Sequence, residues 1–179
     1  MKIKGNRINL SNVTKEDLDF ICELECNKDV WLFEEFVEND INVVKSKYLE
    51  QMKSNEHVNF VMTIVTDKEI KRIGLVQIWS YVAHRGSWEL GFGILPEYQG
   101  YGYGYEAVRL LLDYAFKNLE ARKVVAMCND QNQKSINLME KLQMRREGTF
   151  KQEIKWDDKW NDQHFYSILV NEWEDQKSC

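Results

Sequence analysis

The chain has 179 residues, with 24 basic against 29 acidic side chains and a net charge of −5. A negative field offers no attraction to phosphate backbones or anionic lipid, so nucleic acid and membrane surfaces are set aside as partners and a cationic acceptor fits better. With 44% hydrophobic residues and one proline, the length suits one sizeable core and is short for two ordinary domains.

The opening MKIKGNRINL lacks the apolar stretch of a secretory signal, and no apolar run approaches the length of a membrane span. Arg7–Leu10 reads as a short strand. Thr14, with Asp17 three residues on, marks a helix start, and Leu18, Ile21, Cys22 and Glu25 follow helical spacing. Cys22 and Cys26 lie four apart on that helix, but no further soft ligands stand at suitable spacing, so no metal is expected. Cys22, Cys26, Cys128 and Cys179 form no disulfide framework, which implies a reducing, cytoplasmic home.

A second helix is expected over Ile41–Lys53, striped by Ile41, Val44, Tyr48 and Met52. The period then changes. Val58–Val65, Arg72–Ser80 and Ser87–Leu95 read as three strands of an antiparallel meander. After a glycine-rich loop, Val108, Leu111, Leu112, Ala115, Phe116 and Leu119 form one apolar helix face. Lys123–Cys128 is a strand and Gln133–Leu142 a helix. Gly148–Lys155 and Gln163–Val170 are strands flanking a turn at Trp156–Trp160. The fold class is therefore α/β, a mixed, mostly antiparallel sheet flanked by helices. Residues 1–173 are expected to form one domain, with Glu174–Cys179 a disordered polar tail.

The loop Gln99-Gly100-Tyr101-Gly102-Tyr103-Gly104 carries the chemistry. Alternating glycines let backbone N–H groups turn inward and approach a ligand, and a helix N-terminus adds unpaired donors, a combination suited to a pyrophosphate. The same spacing also fits a tight strand-to-helix connection. Gly102–Ala107 matches one variant of the dinucleotide fingerprint, but that motif should follow its strand directly, and Pro96–Tyr101 intervenes here.

These residues resemble the GNAT superfamily of N-acetyltransferases. Gln99–Gly104 matches its Q/R-x-x-G-x-G/A loop. The run LPEYQGYGYGYEAVRLLLDYAF is similar to the branch that holds ribosomal-protein N-terminal and polyamine acetyltransferases. Asn132, Ser135, Glu140 and Lys141 match that branch's N-x-x-S…E-K block. The resemblance implies the GNAT fold, with a V-shaped split between the fourth and fifth strands, those ending near Leu95 and spanning Lys123–Cys128. It also implies acetyl-CoA as donor. The pantetheine arm would pair with backbone around Ile94 and Leu95, the pyrophosphate would rest on the N–H groups of Gln99, Gly100, Tyr101, Gly102, Tyr103 and Gly104, and Asn132 and Ser135 would lie beside the pantetheine and thioester.

The expected reaction is direct attack of a primary amine on the thioester. A lysine-type amine is roughly 99.9% protonated at pH 7 and a terminal α-amine about nine-tenths so, which gives a base its value. Glu89, seven residues before Pro96, holds the position of the family's glutamate base; its alternative is a solvent-facing strand carboxylate. Met139 occupies the place of the family's acid tyrosine, so Ser135 is the remaining candidate hydroxyl. Gln143-Met144 replaces the family's usual Gly-Phe. Trp31–Phe36 and the Trp156–Trp160 hairpin mix aromatic and acidic residues, which suits a cationic amine and equally suits a core plug with solvated acids. The acceptor is a protein N-terminus, a polyamine or another small amine, and a homodimer is compatible with the chain. The competing reading is a non-catalytic acyl-CoA-binding sensor or partner module.

Overall fold

In the computed structural model, residues 1–66 and 69–178 are described. One eight-stranded sheet has the order β1-β2-β3-β4-β5-β6-β8-β7. Its strands are β1 (Lys2–Lys4), β2 (Ile8–Asn12), β3 (His57–Val65), β4 (Ile70–Val82), β5 (Ser87–Ile94), β6 (Lys123–Asn129), β7 (Arg145–Trp156) and β8 (Lys159–Leu169). The helices are α1 (Leu18–Glu25), α2 (Ile41–Gln51), α3 (Tyr103–Asn118), α4 (Gln133–Lys141) and α5 (Val170–Ser178). β5 and β6 are parallel, while β1–β2, β2–β3, β3–β4, β6–β8 and β7–β8 are antiparallel. The parallel register is short. It joins Ser87–Glu89 to Lys123–Val125 and ends there, although β5 continues to Ile94 and β6 to Asn129.

Contacts divide the chain into two compact units. The first comprises 1–32, 36–79 and 91–111. Its core gathers Val13, Leu18, Ile21, Leu24, Val44, Tyr48, Val61 and Leu75. Each such side chain, fully buried, stabilises by about 1.5–3 kcal/mol. Thr14 and Asp17 act as expected at the helix start: both the backbone N–H and the hydroxyl of Thr14 donate to Asp17 Oδ2, at 3.0 and 2.8 Å. Asp17 also pairs with Arg72 at 2.9 Å, which ties the start of α1 to β4.

The second unit comprises 33–35, 80–90 and 112–179. Val124, Ile136, Met139, Tyr166, Ile168 and Trp173 are buried in it. The β7–β8 hairpin closes through only two residues, Asp157 and Asp158, both with positive φ (52° and 56°). Aspartate tolerates this left-handed turn, whose twist matches the strands it joins. Helix α5 takes in most of the segment expected as a tail, because Trp173 anchors it: its Nε1 donates to Asp113 Oδ1 at 2.9 Å. Cys179 lies outside the described residues.

Candidate active site

The residues expected to hold the donor, Ile94, Leu95 and Gln99–Gly104, all fall in the first unit. β5 ends at Ile94, Pro96–Tyr98 forms a single 3-10 turn, and Gly100 and Gly102 follow with φ of 83° and 82°. Only glycine takes that conformation readily. A Cβ on Gly100 would meet nothing within 4 Å. A Cβ on Gly102 would instead come within 3.1 Å of Arg7 Nη2. Helix α3 begins at Tyr103, one residue earlier than the loop's last glycine, so Gly104 belongs to its first turn.

Two side chains brace this loop. Gln99 Nε2 donates to the Ile94 carbonyl at 3.0 Å. The backbone N–H of Leu95 donates to Ile73 O at 2.9 Å, so it is already engaged within the sheet. The other brace is Arg7, which the sequence reading did not single out. Its Nη1 donates to Tyr101 O at 2.7 Å, its Nη2 to Gly102 O at 3.3 Å, and its Nε to Glu106 Oε2 at 3.2 Å. Burial raises the Glu106 pKa, but hydrogen bonds from Arg7, Ile8 and Asn6 outweigh it and hold the carboxyl below its ordinary value. The only sequence signal for this pairing is an acidic residue in the first turn after the glycines; its partner is 99 positions away.

Glu89, Asn132 and Ser135 fall in the second unit. Glu89 is half-buried and stands opposite Val125 at the last paired position of β5 with β6. Asn132 is the N-cap of α4: its Oδ1 accepts from the backbone N–H of Ser135 at 3.1 Å. The pair thus has a structural role in addition to any contact with a ligand. Met139, in the place of the family's tyrosine, is buried and only 2% exposed. Tyr166 supplies a hydroxyl near α4, donating to Glu140 Oε1 at 3.3 Å, but burial and Glu140 push its pKa up to about 12. Burial, with Glu34, Asp130 and Glu140 adding, likewise pushes the Cys128 thiol up to about 12. It is therefore a thiol at neutral pH and a poor nucleophile.

The two aromatic and acidic segments meet. The Phe33 and Trp156 rings lie 5.3 Å apart, Asn129 Nδ2 donates to Phe33 O at 3.2 Å, and the Lys155 N–H donates to Glu35 Oε1 at 2.6 Å. Desolvation and the neighbouring Glu35 raise the Glu34 pKa. Trp31 behaves differently. It is half-buried, packs against Gly93 and donates from Nε1 to Leu24 O at 3.0 Å. Among the described residues no group of three or more His, Cys, Asp or Glu is arranged to hold a metal ion, and no helix is long and apolar enough to cross a membrane.

Residues 7–145 match the acetyltransferase (GNAT) domain family. The chain belongs to this family. It carries an acetyl-CoA-dependent N-acetyltransferase domain. The uncharacterized N-acetyltransferase YnaD of Bacillus subtilis (strain 168) is 37% identical over 101 residues, a stretch that covers 56% of this chain and 59% of that protein. The spermidine N(1)-acetyltransferase of Vibrio cholerae serotype O1 is 26% identical over 171 residues, covering 94% and 96% of the two chains. The crystal structure of spermidine N-acetyltransferase from Vibrio cholerae in complex with CoA and spermine superposes with a TM-score of 0.86. It covers 95% of this GNAT chain and 99% of its own at 23% identity, a likeness of fold.

Proposed function

We propose that this GNAT protein acetylates a primary amine of a small, cationic, polyamine-like acceptor. The observation that carries the acceptor class is the meeting of Phe33 with Trp156 beside Glu34, Glu35, Asp157 and Asp158. An aromatic face and several carboxylates suit an ammonium-bearing chain through cation–π and ionic contacts. Two further supports are the negative net charge of the chain and the spermidine acetyltransferase among its relatives.

In this reading the N–H groups of Gln99–Gly104 receive the donor's pyrophosphate, Ile94 and Leu95 border its pantetheine arm, and Asn132 and Ser135 lie near the thioester. Glu89 takes the proton of the attacking ammonium, directly or through water. The amine nitrogen then bonds to the acetyl carbon and gives up its second proton to solvent, the C–S bond breaks, and the thiolate takes a proton from solvent or from the Ser135 hydroxyl, which solvent reprotonates. Amine acetylation measured with spermidine, spermine and N-terminal peptides tests the class. Preference for the polyamines supports it, and preference for the peptides replaces it with N-terminal acetylation.

A further inference from the structure

We infer that Arg7 is a positioning residue for donor binding, one that aims the N–H groups of the glycine loop at the pyrophosphate; this rests on the donor-loop reading above. In a trans peptide the C=O and the following N–H point in opposite directions. The Tyr101 carbonyl shares its plane with the Gly102 N–H, and the Gly102 carbonyl shares its plane with the Tyr103 N–H. Arg7 holds both carbonyls, through Nη1 at 2.7 Å and Nη2 at 3.3 Å. The two N–H groups are thereby turned away from Arg7, on the face where an anion would be received. The positive φ of Gly102 lets the chain come this close to the guanidinium, and a Cβ there would press on Arg7 Nη2 at 3.1 Å.

The planar fork is itself held in place. Nε donates to Glu106 Oε2 at 3.2 Å, and the Arg7 and Asn6 backbone N–H groups donate to Glu106 Oε1 at 2.9 and 2.6 Å. The guanidinium also lies 5.5 Å from the centre of the Tyr103 ring. Glu106 stands in the first turn of α3, where an isolated carboxylate would repel an incoming pyrophosphate. Its pairing with Arg7 offsets that charge. Arg7 thus orients two donors and neutralises a local repulsion from a position behind the loop.

The test compares CoA with pantetheine, which lacks the diphosphate, by calorimetric titration of the wild type, Arg7→Ala and Arg7→Lys. CoA should bind the wild type more tightly than pantetheine. Arg7→Ala should weaken CoA by about tenfold, the scale of one or two lost charge-assisted hydrogen bonds, and leave pantetheine unchanged. Arg7→Lys, with one compact ammonium in place of the fork, should recover part of the loss. In turnover, the KM for acetyl-CoA should rise in Arg7→Ala while kcat stays within about twofold. Unchanged CoA affinity in Arg7→Ala, or an equal loss for both ligands, overturns the role of Arg7. Equal affinity of the wild type for CoA and pantetheine is a different failure, and would overturn the donor-loop reading itself.

Discussion

Gln99 fastens the end of β5 to the glycine loop: its side-chain amide donates to the Ile94 carbonyl over 3.0 Å, across five positions of sequence. Gln99→Leu removes this bond and keeps the approximate volume. A neutral hydrogen bond contributes about 1 kcal/mol, so the KM for acetyl-CoA should rise about fivefold with little change in kcat. Steady-state kinetics at saturating amine checks this.

The two left-handed glycines should not be equivalent. An alanine at either position meets the left-handed penalty, of about 1–2 kcal/mol. At Gly102 the new Cβ also lies 3.1 Å from Arg7 Nη2, whereas at Gly100 it meets nothing within 4 Å. Gly102→Ala should therefore weaken CoA binding more than Gly100→Ala in parallel titrations. The reverse ranking would show that the contact with Arg7 does not limit the loop.

Glu89→Gln keeps the shape of the strand residue and removes its ability to accept a proton. Turnover with an amine should fall about a hundredfold, the lower end of what general-base catalysis contributes, while CoA affinity stays within about twofold. Undiminished turnover would remove Glu89 from the mechanism.

Glu147 provides a stability prediction with a defined sign. A hydrogen bond from Lys123 at 2.6 Å, then one from Ser167 at 2.7 Å, pull its pKa down to about 2 against the effect of burial. The folded value lies below the unfolded one of about 4.3. The stabilisation is therefore complete above that pH and is lost as pH falls toward 2. Glu147→Gln should lower stability by about 1–2 kcal/mol at pH 7 once partial solvent screening is allowed for. In urea titrations at pH 7, 4 and 3, the gap between the two proteins should narrow steadily.

Elements whose stability is written locally were legible in the sequence. The face of α3 shows in the spacing of Val108, Leu111, Leu112 and Ala115, which are all fully buried. The Thr14–Asp17 start shows because both partners lie within one turn. β1 did not show: Lys2-Ile3-Lys4 is too short and too charged to read as a strand, and it exists because Ile3 pairs with Leu10 in β2. α5 was hidden by its polarity, since it is secured by Trp173 on Asp113 and by Glu172 on Arg145, partners distant in sequence. The turn-forming glycines Gly100 and Gly102 were legible from their spacing, and both take positive φ. Their brace was not, because Arg7 and Glu106 meet only after the fold has brought them together.

The most direct test of acetyl transfer is thiol release from acetyl-CoA by the purified protein, with and without spermidine, spermine, N-terminal peptides, aminoglycosides or free amino acids. Release that depends on the amine and is greatest with a polyamine is the predicted result. Release no faster than the amine-free blank with every acceptor, from protein shown in the same samples to bind acetyl-CoA, would contradict it and favour a GNAT fold used to bind acyl-CoA without turnover.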